Sequence, residues 1–593
     1  MSFQYSAERN VQILVALLKA HGIKKVVASP GTTNLNFVAS LQHDGSFEMY
    51  SAVDERGAAY MAVGMAYESG EPVVITCTGA TASRNYLPAL TEAYHRKLPV
   101  LAVTATQDMS NRGNLSPQFV DRTEHPSESV VLSVTLPYIH EGDELEEWRA
   151  NLDVNRALLA LRNSAYGGGG GSVHINLITR YDNDFSVKEL PPQRVIRKYT
   201  VKDSWPQLPD GRIAVTVGGH AEWTPELTKA ADDFCAHNDA VIFTDHSSGY
   251  RGKYAVHATL PASQEMSESD IFDVDLLIHM GEETGDYMQM PKFKRAKEVW
   301  RVSEDGELRD TFHKLTKVFQ IPEQIFFEAY TDEDSPVYDD YYRQCQADIQ
   351  DVKDSIPDLP FSNIWLAQNI APNIPEGSYV HLGVSNTMRA WTFFDFQESV
   401  HSIANVGCRG IDGALPTVVG MSQVHPDRLH FCALGDLTFF YGFNALGNRH
   451  VGRNLRVLLV NNGRGTEFRL YIHRAQIIMG DEADPYSAAA GHSGNKSPDL
   501  VRHYAEDLGF EYLTASDKDS ATSAIERFLT PELTDRPMLF EAFTDSIDES
   551  EALRLIRAIR KTYKGMATAG VKRAVKRFVG ANGVAAIKKF MKK

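Results

Sequence analysis

A carboxylate and a carboxamide, each placed directly after an apolar run, are the first residues of this 593-residue chain that suggest chemistry. Gly435-Asp436-Leu437 follows the apolar stretch Leu429–Leu434, and Asn461-Asn462-Gly463-Arg464 follows Arg456–Val460. Asp436 and Asn462 stand 26 positions apart, room for one helix and one returning strand. A strand–helix–strand crossover brings neighbouring ends of a parallel sheet together, so both oxygens would face one crevice. Hard oxygen donors suit Mg²⁺, which keeps part of its shell for water and phosphate oxygens. Gly435 lets the backbone approach a diphosphate closely. Singly, each motif is an ordinary turn at a strand end; the pair at this spacing points to a site.

The elements that must position these residues alternate between strand and helix. In the first third, Lys25–Ala28, Glu48–Val53, Val73–Cys77, Pro99–Thr104 and Ser172–Leu177 read as strands, the last after the glycine tract Gly167–Gly171. Helices are expected at Val11–Ala20, at Glu55–Ser69 capped by Asp54 and ended by Gly70, and at Tyr86–Arg96. The middle third offers strands at Ile213–Val217, Ala240–Thr244, Leu276–Met280 and Val299–Val302, followed by an acidic linker, Thr331–Asp340. The last large part repeats the first, with strands at Tyr379–Leu382, Leu429–Leu434 and Arg456–Val460 and helices at Ala414–Ser422 and Phe440–Arg449. Such alternation predicts an α/β protein of three Rossmann-like domains with parallel sheets, over 1–190, 191–350 and 351–560, followed by a basic tail at 561–593.

Composition narrows the function. The formal net charge of −17 argues against a nucleic-acid partner. Ten Lys or Arg and no acid lie in 561–593, which leaves the body at −27. In that tail Val571, Ala574, Val575, Phe578 and Val579 interleave with Lys572, Arg573, Lys576 and Arg577. The pattern suits an anionic membrane surface or acidic partner, a helix on the acidic body of its own oligomer, or a solubilising tail. Five separated cysteines without a CxxC fit a reducing cytoplasm, and neither a signal peptide nor a membrane span is apparent.

With these motifs in view, the chain resembles the thiamine-diphosphate-dependent enzymes of the acetolactate synthase and pyruvate decarboxylase type. Asp436, Asn462 and the Arg464 carbonyl match that family's metal ligands. Leu437 in place of the usual third glycine is similar to the isochorismate-using synthases of menaquinone biosynthesis. Val53-Asp54-Glu55-Arg56-Gly57-Ala58 resembles the pyrimidine-domain segment, and Thr76–Thr81, Asn85–Pro88 and Glu92–Tyr94 follow the same pattern. The resemblance implies that Glu55 bonds the cofactor's aminopyrimidine ring and activates the thiazolium carbon, with burial raising its pKa. Gly410-Ile411-Asp412-Gly413 resembles the segment whose aliphatic side chain, here Ile411, bends the cofactor. Ser385-Asn386-Thr387-Met388-Arg389 resembles a loop contacting cofactor and substrate, with Arg389 matching a carboxylate-binding arginine. Gln118 matches a catalytic glutamine of carboligating members. Thiamine diphosphate, Mg²⁺ and a homodimer or homotetramer follow, with the cofactor between one chain's pyrimidine domain and another's diphosphate domain.

The resemblance also has gaps. The menaquinone synthases hold a multiply charged substrate with several arginines; here Thr33, Gln107 and Val406 occupy three of those positions, and only Arg389 remains. Each lost charge-assisted bond is worth ~1.5–3 kcal/mol, so the substrate-binding positions Thr33, Gln107 and Arg389 imply an acceptor less anionic than isochorismate. The histidine dyad of pyruvate decarboxylases is not apparent; the comparable stretch reads Asn111-Arg112-Gly113. Glu467, Arg469, His473 and Arg474 are candidates for a substrate entrance or for a solvated helix face. The expected activity is decarboxylation of a 2-oxo acid with transfer to an acceptor. A simple decarboxylase of the phosphonopyruvate or sulfopyruvate kind is the alternative, and a non-catalytic scaffold recruited by its tail is a third reading.

Overall fold

The structure is a computed structural model that describes residues 4–161, 170–492 and 496–560. The basic tail and residues 167–169 of the glycine tract lie outside the described residues. Two compact units emerge: Met1–Gln207 with Val299–Pro322, and Leu208–Glu298 with Glu323–Lys593.

The first unit is built on six strands, β1 (Lys25–Ala28), β2 (Glu48–Ser51), β3 (Val73–Cys77), β4 (Val100–Thr106), β5 (Leu132–Leu136) and β6 (Val173–Ile178), in the order β2-β1-β3-β4-β6-β5. Every pairing is parallel. Strands β3, β4 and β6 are buried at every position because helices cover both faces, so their sequences are continuous apolar runs rather than alternating ones.

The middle layer is also parallel. Its strands are β7 (Arg197–Tyr199), β8 (Ile213–Val217), β9 (Val241–Phe243), β10 (Ala255–Val256), β11 (Leu276–Met280), β12 (Glu298–Val302) and β13 (Leu315–Phe319). Within the second unit the order is β10-β9-β8-β11, and within the first unit β12-β13-β7.

The third sheet comprises β14 (Tyr379–Leu382), β15 (His401–Ala404), β16 (His430–Gly435), β17 (Leu455–Asn461), β18 (Glu511–Ala515) and β19 (Met538–Phe543). Its order, β15-β14-β16-β17-β19-β18, reproduces that of the first sheet strand for strand. In both, the chain leaves the first strand to one side and then crosses to the other. The loops after β1 and β3, and after β14 and β16, therefore diverge and open a crevice at the carboxyl ends.

The helix Glu55–Ser69 forms as its sequence predicts: the Asp54 carboxylate accepts from the Gly57 N–H at 3.0 Å, and Gly70 closes it at φ 67°. One helix expectation is corrected. Instead of Phe440–Arg449, the helix runs Asp436–Gly442 and continues as a 3₁₀ turn over Phe443–Gly447. Gly435-Asp436 turns the strand straight into the helix, a start that the aromatic run Phe439–Tyr441 conceals. The expected helix Tyr86–Arg96 forms as Leu87–His95, with Pro88 in its first turn, and a separate short helix, Thr81–Asn85, precedes it. Strand β19 escaped the sequence reading because Glu541 interrupts it; its carboxylate is buried and accepts from Asn461 at 2.6 Å and Tyr512 at 2.8 Å. Among the described residues no helix is long and apolar enough to cross a membrane.

Candidate active site

The register of the third sheet pairs Gly435 with Val460, so the chain emerges from β16 and β17 at one level. Asp436 and Asn462 consequently line one pocket, together with Ser385, Ile411, Gly435, Leu437, Arg464 and Glu467. The crossover inferred from the 26-residue spacing is thus present, and the two oxygen donors face the same space.

Asp436 is 4 % exposed, and burial pushes its carboxyl up to about 6, against the pull of backbone N–H groups led by Leu437, which donates at 2.7 Å. The Asn462 side-chain oxygen is buried and accepts no hydrogen bond from the protein. An orphaned amide oxygen beside a reluctant carboxylate is the donor set a hard divalent cation would satisfy. Among the described residues no three His, Cys, Asp or Glu side chains gather into a metal cluster. A cation here would take one carboxylate, one amide oxygen, a main-chain carbonyl such as that of Arg464, and phosphate or water. A Cβ built on Gly435 would meet nothing within 4 Å, which leaves room for a diphosphate against the backbone. Gly410 has no such room, since a Cβ there would lie 2.5 Å from the Asp412 carboxylate. Its role is the shape of the loop that presents Ile411.

Ser385 sits at φ 72°, ψ −130°, a strained position for a side-chain-bearing residue at the mouth of the pocket. Its hydroxyl donates to Glu467 at 3.2 Å. Arg389, 11 % exposed at its side chain, forms a two-pronged pair with Glu467, and its Nη2 donates at 2.8 Å. The arginine expected to receive a substrate carboxylate is therefore already held by an internal one, and Glu467 resolves as a pocket residue rather than a solvated face. Arg469 and His473 are occupied locally: Arg469 donates to the Gly480 carbonyl at 2.7 Å, and His473 caps the helix Arg474–Met479. Val406 packs against the apolar core of the third sheet.

Beneath the Ser385 loop lies a buried polar lattice that sequence reasoning missed. Glu549 accepts from the Asn363 N–H at 2.9 Å, Thr544 at 2.8 Å and Asn386 at 3.4 Å. Asn363 donates to Thr387 at 3.1 Å and accepts from the Trp391 indole at 3.1 Å. Nothing in the local sequence marks Glu549, whose importance comes from its 1 % exposure. Burial raises its carboxyl to about 7, so the folded state holds a proton that the unfolded chain releases near 4.5. Its stabilising contribution is complete below about 4.5 and is lost as pH rises through about 7. Glu549→Gln is expected to flatten that decline relative to the parent by up to about 3 kcal/mol. Denaturant titrations between pH 4.5 and 7.5 check it; parallel curves would refute it.

In the first unit, Glu55 opens its helix but is only half-buried, beside Val53 at 79 % exposure. The enclosure that sequence reading expected around this carboxylate is thus not formed by the elements that carry it. Thr33 is 8 % exposed; its hydroxyl bonds Thr78 and donates to the Ala105 carbonyl at 2.9 Å, tying the loops after β1 and β3 to strand β4. Gln107 donates to the Tyr181 hydroxyl at 2.8 Å. Gln118 lies exposed at φ 59° on the loop after β4.

Comparison with known proteins agrees with this arrangement. Residues 9–125 match the thiamine pyrophosphate enzyme N-terminal TPP-binding domain. The chain is 30 % identical over 571 residues to the 2-succinyl-5-enolpyruvyl-6-hydroxy-3-cyclohexene-1-carboxylate synthase of Bacteroides fragilis, covering 93 % of this chain and 98 % of that one. The synthase of the same name from Phocaeicola vulgatus is 29 % identical over 574 residues, with the same coverage. That of Desulfotalea psychrophila is 26 % identical over 558, covering 91 % and 99 %. A full-length match of this kind, on a fold whose repeated sheet gathers Asp436 and Asn462, makes the chain an enzyme of the thiamine pyrophosphate-dependent class that belongs to the family of these synthases.

Proposed function

We propose that the enzyme decarboxylates a 2-oxo acid and transfers the acyl group to an acceptor, using thiamine diphosphate held by Mg²⁺. The observation that carries this reading is the pocket in which the unpartnered Asn462 oxygen and buried Asp436 meet Ser385, Ile411 and Glu467. When bound, the cofactor supplies a carbon nucleophile that adds to the 2-oxo group and accepts the electron pair left by departing carbon dioxide.

The protein's own residues bind, orient and move protons. Asp436 and Asn462, with the Arg464 carbonyl, hold the metal, and Gly435 and Leu437 border the diphosphate. Ile411 shapes the cofactor's bend. Glu55 takes and returns a proton at the aminopyrimidine end, and Gln118 and Ser385 face the reacting carbonyl. Arg389 orients a substrate carboxylate while sharing its guanidinium with Glu467. Arg389→Lys keeps the charge but loses the fork, and is expected to raise KM about 10-fold with a smaller effect on kcat. Steady-state kinetics on the accepted 2-oxo acid check this, and an unchanged KM would refute it. Thr33 and Gln107, the positions where the family resemblance leads one to expect arginines, carry no charge, which supports an acceptor with fewer negative charges.

A second copy of the chain completes the site. Val53, Tyr60, Met61 and Tyr67 are exposed around the helix that carries Glu55, an apolar surface suited to burial in a dimer or tetramer. The test is to incubate purified protein with Mg²⁺, thiamine diphosphate and a panel of 2-oxo acids, with and without aldehyde or enone acceptors. Carbon dioxide release and product masses are then followed. Release that needs no acceptor and yields only the aldehyde indicates a simple decarboxylase; no release and no cofactor adduct overturns the reading.

A further inference from the structure

The basic tail, 561–593, is not used by the reaction proposed above. The synthases of Bacteroides fragilis and Desulfotalea psychrophila align over 98 % and 99 % of their own length but over 93 % and 91 % of this chain, so part of it has no counterpart in them. Composition separates the tail from the body: ten Lys or Arg stand in it without a single acid. Spacing bears on what it can bind. At 3.6 residues per turn, Val571, Val575, Phe578 and Val579 fall on one side, and Lys572, Arg573, Lys576 and Arg577 on the other. Gly580 and Gly583 interrupt the pattern, after which Val584, Ile587, Phe590 and Met591 repeat it against Lys588, Lys589, Lys592 and Lys593.

The root of the tail is described, and it is fixed. The helix Ser546–Ile556 buries Leu553 and Ile556 in the core of the third sheet and carries Glu549 beneath the Ser385 loop. Beyond it, Arg557 pairs with Glu265 at 3.1 Å. Arg560 donates to Asp348 at 2.7 Å and to Asp351 at 2.6 Å, while its N–H donates to the Gln264 side-chain oxygen at 3.0 Å. These acids beside the root are thus taken by Arg557 and Arg560, and the cations of the tail meet negative charge elsewhere. A solubilising segment has no use for two apolar sides. A bilayer with anionic headgroups uses both features: acyl chains take the apolar side, and long Lys and Arg side chains reach the phosphates. Each stretch is far shorter than the ~20 residues of a membrane span, which confines the contact to one leaflet.

We propose that residues 561–593 bind the surface of an anionic phospholipid bilayer and hold the enzyme there as a peripheral protein. The two cationic clusters supply the attraction, and the two apolar sides supply shallow insertion. The two act together, because the attraction is screened by salt and short apolar sides alone bind membranes only marginally. The absence of acids matters for the same reason: each would be repelled by the headgroups and would cancel the pull of one lysine. This role is independent of the reaction proposed above.

The test sediments the full-length protein with vesicles of phosphatidylcholine alone, or with phosphatidylglycerol as about one lipid in three, in ~0.1 M salt. Binding to the anionic vesicles is expected to be at least about 20-fold tighter, and to fall at least about 5-fold in ~0.5 M salt. Replacing Lys572, Arg573, Lys576 and Arg577 together by Glu should remove it. Val575→Ser with Phe578→Ser, which keeps every cation, should weaken it about 10-fold. All six positions lie beyond Arg560 and outside the cofactor pocket, so thiamine diphosphate uptake and the unfolding midpoint are expected to match the parent. Equal binding to neutral and anionic vesicles, no binding to either, or undiminished binding by the fourfold variant overturns the proposal. So does a fall in that variant's unfolding midpoint or oligomeric mass without lipid, which would put the tail on its own oligomer instead.

Discussion

Asp436→Asn is expected to weaken retention of thiamine diphosphate with Mg²⁺ by at least about 100-fold while leaving the folded protein no less stable. The two halves of this result share one cause. Burial already pushes the Asp436 carboxyl up to about 6, so an uncharged amide of the same shape is at least as comfortable in the cofactor-free protein. A bound cation reverses the balance. It draws on the carboxylate's full charge, and a charge-assisted contact within a buried metal site is worth ~1.5–3 kcal/mol or more. Calorimetric titration of cofactor in the presence of Mg²⁺, alongside thermal unfolding without it, separates binding from stability. An unchanged affinity would remove Asp436 from the site, and a large loss of stability would show that its role is structural.

Glu55→Gln is the second large effect: kcat is expected to fall by about 10²–10⁴ with cofactor affinity changed by less than about 10-fold. Glutamine fills the same volume at the start of the helix Glu55–Ser69, and the cap from Asp54 to Gly57 is untouched, so the fold is expected to persist. What is lost is a carboxyl able to take and return a proton. Glu55 is half-buried with exposed apolar residues beside it, and the proposed function has a second chain cover it. Dilution that dissociates the oligomer should therefore mimic the substitution in activity without changing the secondary structure. Retention of full turnover by Glu55→Gln would exclude the carboxyl from the proton path.

The sequence by itself determined the α/β class, most strands of the first sheet and half of those of the third, and the pair Asp436 and Asn462. Each of these rests on local physics: buried parallel strands need continuous apolar runs, and a crossover of fixed length returns the chain to a neighbouring strand end. The cap on the helix of Glu55 was equally legible, since Asp54 and Gly70 act within one turn of their own positions. Strand β19 and the start of the helix at Asp436 were not, because a buried glutamate and an early glycine turn masked the apolar pattern. Glu549 and the grip of Glu467 on Arg389 were decided only by the tertiary structure. A charge becomes costly or shared according to what distant segments place around it, and no spacing along the chain records that environment.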